Sequence, residues 1–307
     1  MATYVLRRLS QTVIVLLGVS VAVFLMGQLV PGDPAVVMLG PAASADAVAE
    51  LRRDLGLDES LWIQYGRFIE RLVTEGSLGE SIRTNREVLD EVFDRLPYTL
   101  VLAVLAVTLA TILGITGGVV AAINRGKFID SAILVVTTGG LSVPSFWVAL
   151  LMIWLFAVRL GWLPVAGAGS WKHLVLPTLT LALPSIATKA RLTRSAMLEI
   201  LNQEYIRTAR SKGLHEQTVL LRHALRNALI PVITIVGLQF GALLGGAFIT
   251  ESIFGWPGVG QLAVNSILQR DFPIVQGTVL LVTVSFVMMN LIVDLLYAWS
   301  DPRIRYR

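Results

Sequence analysis

The chain of 307 residues contains no cysteine, which excludes disulfides and thiolate metal sites. Its three histidines, His173, His215 and His223, lie apart without metal-ligand spacing and read as structural. No G-x-x-x-x-G-K-[ST] occurs, so the chain has no loop of its own to cradle a nucleotide phosphate, and no nucleophile–base pair stands out. Charge is scarce as well. Charged residues make up 15% of the chain, against about 25% in ordinary soluble domains, while 55% are hydrophobic and the mean hydropathy is +0.71. Such a chain cannot cover its apolar surface with polar groups, so lipid is its expected solvent. The pI of about 9.6 does not point to nucleic acid, because the basic residues form no single solvated patch.

What is present is a series of apolar runs. A bilayer-spanning helix takes about 20 largely apolar residues, and six stretches qualify, near 9–30, 98–123, 132–158, 174–190, 229–250 and 276–299. The expected fold class is an all-α polytopic membrane protein with six transmembrane helices. Pro177 and Pro184 interrupt the fourth stretch, which is tolerated where neighbours satisfy the freed carbonyls. The first run continues past any small-residue cleavage site and is too long for a signal peptide, so 1–30 is expected to be a retained anchor. With the N-terminus inside, fifteen Lys and Arg fall in cytoplasmic segments, and only Arg159, Lys172 and Arg270 in the two short external loops. Both ends are therefore expected in the cytoplasm, including the basic tail 301–307.

Between the first two spans, 31–97 holds thirteen acidic residues and seven arginines, a formal charge of −6. It reads as a small external helical subdomain. Ser44 can cap a helix that stops at Gly56. Leu61, Tyr65, Phe68, Ile69 and Leu72 share one face of a second helix. Leu89, Val92, Phe93 and Leu96 share one face of a third, which leads through Pro97 into the membrane. These faces bury against one another or against the membrane interface, making either a packed cap or a docking surface for an external partner.

Ionisable residues in the five-helix core 98–300 are few: Lys189 near the inner end of the fourth span, Glu251 at the outer end of the fifth and Asp294 in the sixth. None lies near a midplane by residue count, which argues against a proton-coupled carrier. Gly237, Gly241 and Gly245 recur every four residues in the fifth span. Their face permits close backbone approach, either within this chain or to a partner subunit or sliding pathway.

The loop 191–228 between the fourth and fifth spans carries the most information. In the segment from Leu201 to Leu214, Asn202 can cap a short helix and Gly213 can end it in a left-handed conformation. Tyr205 and Ala209 share a face, while Arg207, Arg210 and Lys212 supply charge. A second basic amphipathic helix, 216–228, runs into the fifth span. The loop can lie on anionic lipid or dock a soluble domain.

The segment from Tyr205 to Gly213, followed by Arg222-His223-Ala224-Leu225-Arg226-Asn227-Ala228-Leu229-Ile230-Pro231, resembles the coupling loop of ABC importer permeases. It is most similar to the dipeptide/oligopeptide/nickel branch, which has a long first external loop. Pro31-Gly32-Asp33-Pro34, Pro144-Ser145-Phe146-Trp147, Phe254-Gly255-Trp256-Pro257-Gly258, Asp294-Leu295-Leu296-Tyr297 and Asp301-Pro302-Arg303 match as well, so the resemblance spans the chain. It departs from the general importer motif, with Arg207-Thr208-Ala209 where Glu-Ala-Ala is usual and Leu225-Arg226 in place of Leu-Pro. The resemblance implies a type I importer permease with no catalytic residues, moving dipeptides or oligopeptides; nickel and glutathione are the alternatives. Implied partners are a second homologous permease, two ATP-binding subunits that hold ATP and Mg, an external peptide-binding protein and membrane lipid. It also implies an ATPase-coupling helix comprising Glu204, Tyr205, Arg207, Ala209, Arg210 and Gly213.

Overall fold

A computed structural model of the chain describes residues 2–29, 34–40 and 43–300. Among these the elements are helical, with a single isolated bridge between Glu80 and Glu87. The Pro31-Gly32-Asp33 motif and the tail 301–307 lie outside the described residues.

The long helices are α1 (Ala2–Leu29), α5 (Val88–Ile123), α8 (Lys172–Leu201), α11 (Arg226–Gly246) and α14 (Phe272–Ser300). Among the described residues four stretches are long and apolar enough to cross a membrane: Leu6–Gln28, Val88–Ile123, Glu216–Leu243 and Phe272–Ile292. The third expected span is not a straight helix. It divides into α6 (Phe128–Ser142) and α7 (Ser145–Met152), the latter continued by a π-helical turn Ile153–Arg159, and the two halves meet at 104°. Pro144 caps the second half and lacks the N–H that would continue the first.

The fourth expected span is helical throughout but is not a lipid-facing span by composition. Instead α8 is the central helix, packed by α5, α6, α7 and α11. Leu176, Leu181, Ala182, Ala187, Ala190 and Met197 are buried along it. Protein surrounds it, so threonines and prolines are tolerated where lipid would exclude them. It also runs on to Leu201, so Lys189 is fully buried inside the bundle rather than at a helix end.

The segment between the first two spans forms α2 (Pro34–Leu39), α3 (Ala45–Asp54) and α4 (Leu61–Thr74). Ser44 caps α3 by accepting the Ala47 N–H at 3.3 Å, and Gly56 follows its end at φ +68°. The expected third helix is not separate. Residues 88–96 are the first turns of α5, which passes through Pro97 without a break. Nor do the apolar faces bury only against one another. Val88 and Val92 pack on Val259, Ile274 and Val282 of α13 (Val259–Gln269) and α14, while α4 packs on α1.

Candidate functional site

At the basic end of the bundle the loop folds as expected, with one shift. Helix α9 spans Glu204–Ser211, and its N-cap is Gln203 rather than Asn202. Asn202 belongs to the last turn of α8, where its amide donates to the Leu198 carbonyl at 2.9 Å. The far end closes through Gly213, at φ +75°. Its N–H reaches the Arg210 carbonyl at 2.9 Å, and the Leu214 N–H reaches that of Ala209 at 3.4 Å. That pair of bonds is a Schellman closure.

Ile206 and Ala209 face inward, joining Ala122 of α5, Met197 of α8 and Val219, Ala224 and Ala228 of the following helical run. Tyr205 lies at the edge, 43% exposed, and its hydroxyl accepts from the Asn227 side chain at 2.9 Å. Arg207 pairs with Glu204 at 2.8 Å. Arg210 grips Glu216 through two nitrogens at 2.7 and 3.2 Å, tying the end of α9 to α10 (Glu216–Thr218). A π-helical turn, Val219–Leu225, joins α10 to α11. The result is a one-sided helix, seated on three elements by apolar contacts and presenting polar side chains outward. Of the residues singled out by sequence, only Ala209 is in the seat. Ile206, which is fully buried, was missed although it stands at i−3 from Ala209.

Three further features join distant segments. Gly114 and Gly118 of α5 press on α8: a Cβ at Gly118 would stand 2.5 Å from the Thr193 Cβ and 2.6 Å from the Ala190 carbonyl oxygen. Asp130, at the start of α6, accepts two bonds from Arg194 of α8 at 2.6 and 2.8 Å and a third from the Gly126 N–H at 3.0 Å. Deep in the bundle, the Lys189 ammonium donates to the Gln239 side-chain oxygen at 2.5 Å. The glycine stripe of the fifth span faces α14. A Cβ at Gly241 would meet Phe286 at 3.0 Å and one at Gly245 would meet Val282 at 3.8 Å; Gly237 is half-buried on the same helix.

At the opposite end Glu251, in α12 (Phe248–Ile253), is completely buried. Its carboxylate accepts from the Thr99 hydroxyl at 2.7 Å and from the Gly260 and Gln261 N–H groups at 2.7 and 3.1 Å. It therefore caps α13 and locks it to α5, while the Thr99 oxygen itself accepts the Val259 N–H at 2.9 Å. A carboxylate is suited to this position because the first N–H groups of a helix have no internal partners and carry partial positive charge. Glycine is required at 260, where a Cβ would stand 2.5 Å from the Phe248 Cα. Trp256 completes the joint, donating its indole N–H to the Tyr98 carbonyl at 3.0 Å. Glu251→Leu is expected to strand these donors, at about 1–3 kcal/mol for each group left unpaired, whereas Glu251→Gln keeps an acceptor. Thermal unfolding of the purified subunit in detergent should show the Leu variant melting well below the Gln variant.

Helices long and apolar enough to cross a membrane, with a short helix seated at the basic end of the bundle, give the architecture of a multi-span membrane protein. The chain belongs to the inner-membrane components of binding-protein-dependent transport systems, the ABC importer permeases: that family matches residues 114–306, and its N-terminal domain family matches 1–103. It is 44% identical, over 100% of both chains, to the glutathione transport system permease protein GsiC of Escherichia coli O6:H1 (strain CFT073). Its identity to GsiC of Escherichia coli strain K12 is 43%, again over 100% of both chains. Among solved structures it is similar to the MetNI methionine ABC transporter in inward-facing conformations, with a TM-score of 0.56 and 18% identity over 69% of this chain and 97% of that one. An amino acid ABC transporter with histidines aligns with a TM-score of 0.52 and 20% identity, over 70% of this chain and 94% of that one. These two likenesses are of fold alone.

Proposed function

We propose that this chain is a permease subunit of an ATP-driven importer of short peptides, and that α9 is its coupling helix. The observation that carries the reading is the seating of α9. Ile206 and Ala209 hold it to the ends of α5, α8 and α11, so a force on its exposed face reaches three helices together. ATP and Mg belong to two separate ATP-binding subunits, a second homologous permease completes the pathway, and an external binding protein delivers substrate. Both termini and α9 lie in the cytoplasm, in keeping with the Lys and Arg distribution.

Glutathione, itself a tripeptide, is the narrower substrate reading, favoured by the name borne by relatives 43–44% identical over the full chain. Uptake of labelled dipeptides, tripeptides and glutathione into proteoliposomes holding the reconstituted complex tests both readings. ATP-dependent uptake of several peptides supports the broader one, and uptake of glutathione alone supports the narrower. Transport by this chain without its ATP-binding subunits would overturn the assignment.

The segment 31–97 supplies a further expectation. Glu70, Glu75, Glu80 and Asp90 are exposed on the external side, whereas Asp58, Glu59 and Asp94 are taken up by Arg52, Arg67 and Arg86. Neutralising the first four should slow association of the binding protein and flatten its salt dependence, because exposed charges act mainly on encounter and are screened within about 8–10 Å. Basal ATP hydrolysis should be retained. Stopped-flow binding to the reconstituted complex at two salt concentrations measures the effect.

A further inference from the structure

Helix α4 has an apolar arc about 140° wide at 100° per residue. It runs from Phe68 through Leu61, Leu72, Tyr65 and Ile69 to Trp62 and Val73. Only part of this arc is used inside the chain. Tyr65 and Phe68 pack on Phe24 of α1, with ring centroids 5.4 and 6.0 Å apart, while Trp62 is 84% and Val73 77% exposed. An unused apolar edge does not by itself say what covers it, but the position of α4 along α1 does.

The Tyr65 hydroxyl is hydrogen-bonded to Ser20 at 2.8 Å, and Gln64 accepts from Gln28 at 2.8 Å. The apolar stretch of α1 is Leu6–Gln28. At 1.5 Å per residue it is about 34 Å long, slightly more than the hydrocarbon core of about 30 Å. Gln28 therefore marks the outer boundary of the bilayer, and Ser20 lies about 12 Å inside that end. Phe24, on which α4 packs, lies about 6 Å inside it. The apolar side chains of α4 thus stand at the depth reached by amphipathic helices that lie in a membrane interface, about 5–10 Å into the acyl boundary. Val21 and Leu25 of α1, which follow Ser20 and Phe24, are exposed too, as expected on the lipid-facing side of a spanning helix. On the other side of α4, Arg67 is held by Glu59 at 2.7 Å and Glu70 and Arg71 are exposed, with Ile63 the single large apolar side chain on that mostly polar face.

We infer that α4 is an interfacial membrane helix. Its Trp62–Val73 edge lies in the acyl and headgroup boundary of the outer leaflet, and its occupant is phospholipid rather than the binding protein or the second permease. Tryptophan suits this place because its ring is apolar and its N–H can meet the headgroup layer. The helix then floats the external segment at a fixed height beside α1. Its exposed acidic residues face outward while its apolar edge is never in water.

The absence of cysteine permits a direct test in the whole chain. Trp62→Cys, Val73→Cys and, as a water-facing control, Glu70→Cys each create one labelling site. Each variant is labelled with an environment-sensitive fluorophore and assembled with its partner subunits in phosphatidylcholine nanodiscs. Half of the samples carry brominated acyl chains, and aqueous iodide is added separately. Bromolipid is expected to quench labels at 62 and 73 several-fold more than at 70, with iodide showing the reverse order. Iodide quenching at 62 and 73 equal to that at 70 would overturn the proposal, placing the edge in water. Labels at both sites shielded from bromolipid and iodide would also overturn it, assigning the edge to a partner subunit. The Val73 site keeps the test open if loss of Trp62 disturbs folding.

Discussion

Ala209→Glu is expected to abolish stimulation of ATP hydrolysis by substrate while the subunit stays in the membrane and retains its other helices. Ala209 is 7% exposed, with its methyl among Ile206, Met197, Val219 and Ala224. A carboxylate placed there would be buried without a partner, a state so costly that the helix leaves its seat or the group protonates. Helix α9 has eight residues, too few to persist in water without tertiary contacts. Once unseated it cannot transmit a push. Ile206→Ala should act in the same direction through lost packing, at about 2–5 kcal/mol for a fully buried site. Gly213→Val belongs to the same group, because a β-branched side chain opposes φ +75° even though open space surrounds the position. The measurement is ATPase activity of the assembled complex with and without substrate-loaded binding protein. Full stimulation in correctly assembled variants would refute the coupling role of α9.

Gly118→Ala, the smallest substitution available, should be the most damaging change in the spans. The added methyl would stand 2.5 Å from the Thr193 Cβ, 2.6 Å from a carbonyl oxygen and 3.0 Å from the Arg194 nitrogen. Two of these are backbone atoms of a helix enclosed by its neighbours, so relief requires α5 and α8 to move apart. Overpacking of this kind costs about 1–3 kcal/mol, and more where backbone must shift. Two comparisons separate it from a general dislike of side chains. Gly117, one residue earlier, would place its Cβ 4.0 Å from that of Ala190, so Gly117→Ala should be neutral or slightly stabilising, since alanine favours a helix over glycine by up to about 1 kcal/mol. Gly241→Ala should be mild, because its neighbour is the ring of Phe286, which is 37% exposed and free to turn aside. Thermal unfolding of the three variants in detergent, with uptake by the assembled complex, orders them: Gly118→Ala far below wild type, the other two close to it.

The features legible in the sequence are those set by short-range chemistry. The apolar runs, the cap at Ser44, the stops at Gly56 and Gly213 and the short helix before Gly213 each depend on a few consecutive residues. Where two local rules compete for one residue, the reading slips. Asn202 can cap α9 or end α8, and the longer helix takes it. Pro97 was read as a junction, yet α5 continues through it, since only one backbone bond is lost and the flanking turns are packed. Pro177 and Pro184 interrupt the fourth apolar run in the sequence, yet α8 is continuous through both because it is wrapped in protein. Long-range joints were not legible. Nothing near Glu251 announces that its acceptor bonds come partly from Thr99, 152 positions away, nor does Asp130 point to Arg194, 64 positions on. Gly114 and Gly118, four apart in one span, carry the tighter contact, but spacing alone does not distinguish them from the longer stripe ending at Gly245.

Helix α8 also has mechanical consequences as a beam. Its 30 residues make a rod about 45 Å long, so a tilt of about 5° at one end displaces the other by about 4 Å. The rod is not uniform. Its basic-end half is braced by Gly118 against Ala190 and Thr193 and by the Arg194 fork on Asp130, so it is expected to tilt together with α5 and α6. Its other half contains Pro177 and Pro184, each of which removes a backbone bond and softens the helix locally. If α9 couples as proposed, load applied at the basic end is carried through the braced half as a rigid tilt. Past Pro184 such a tilt is expected to turn partly into flexure, because the two prolines leave that half of the helix the more compliant.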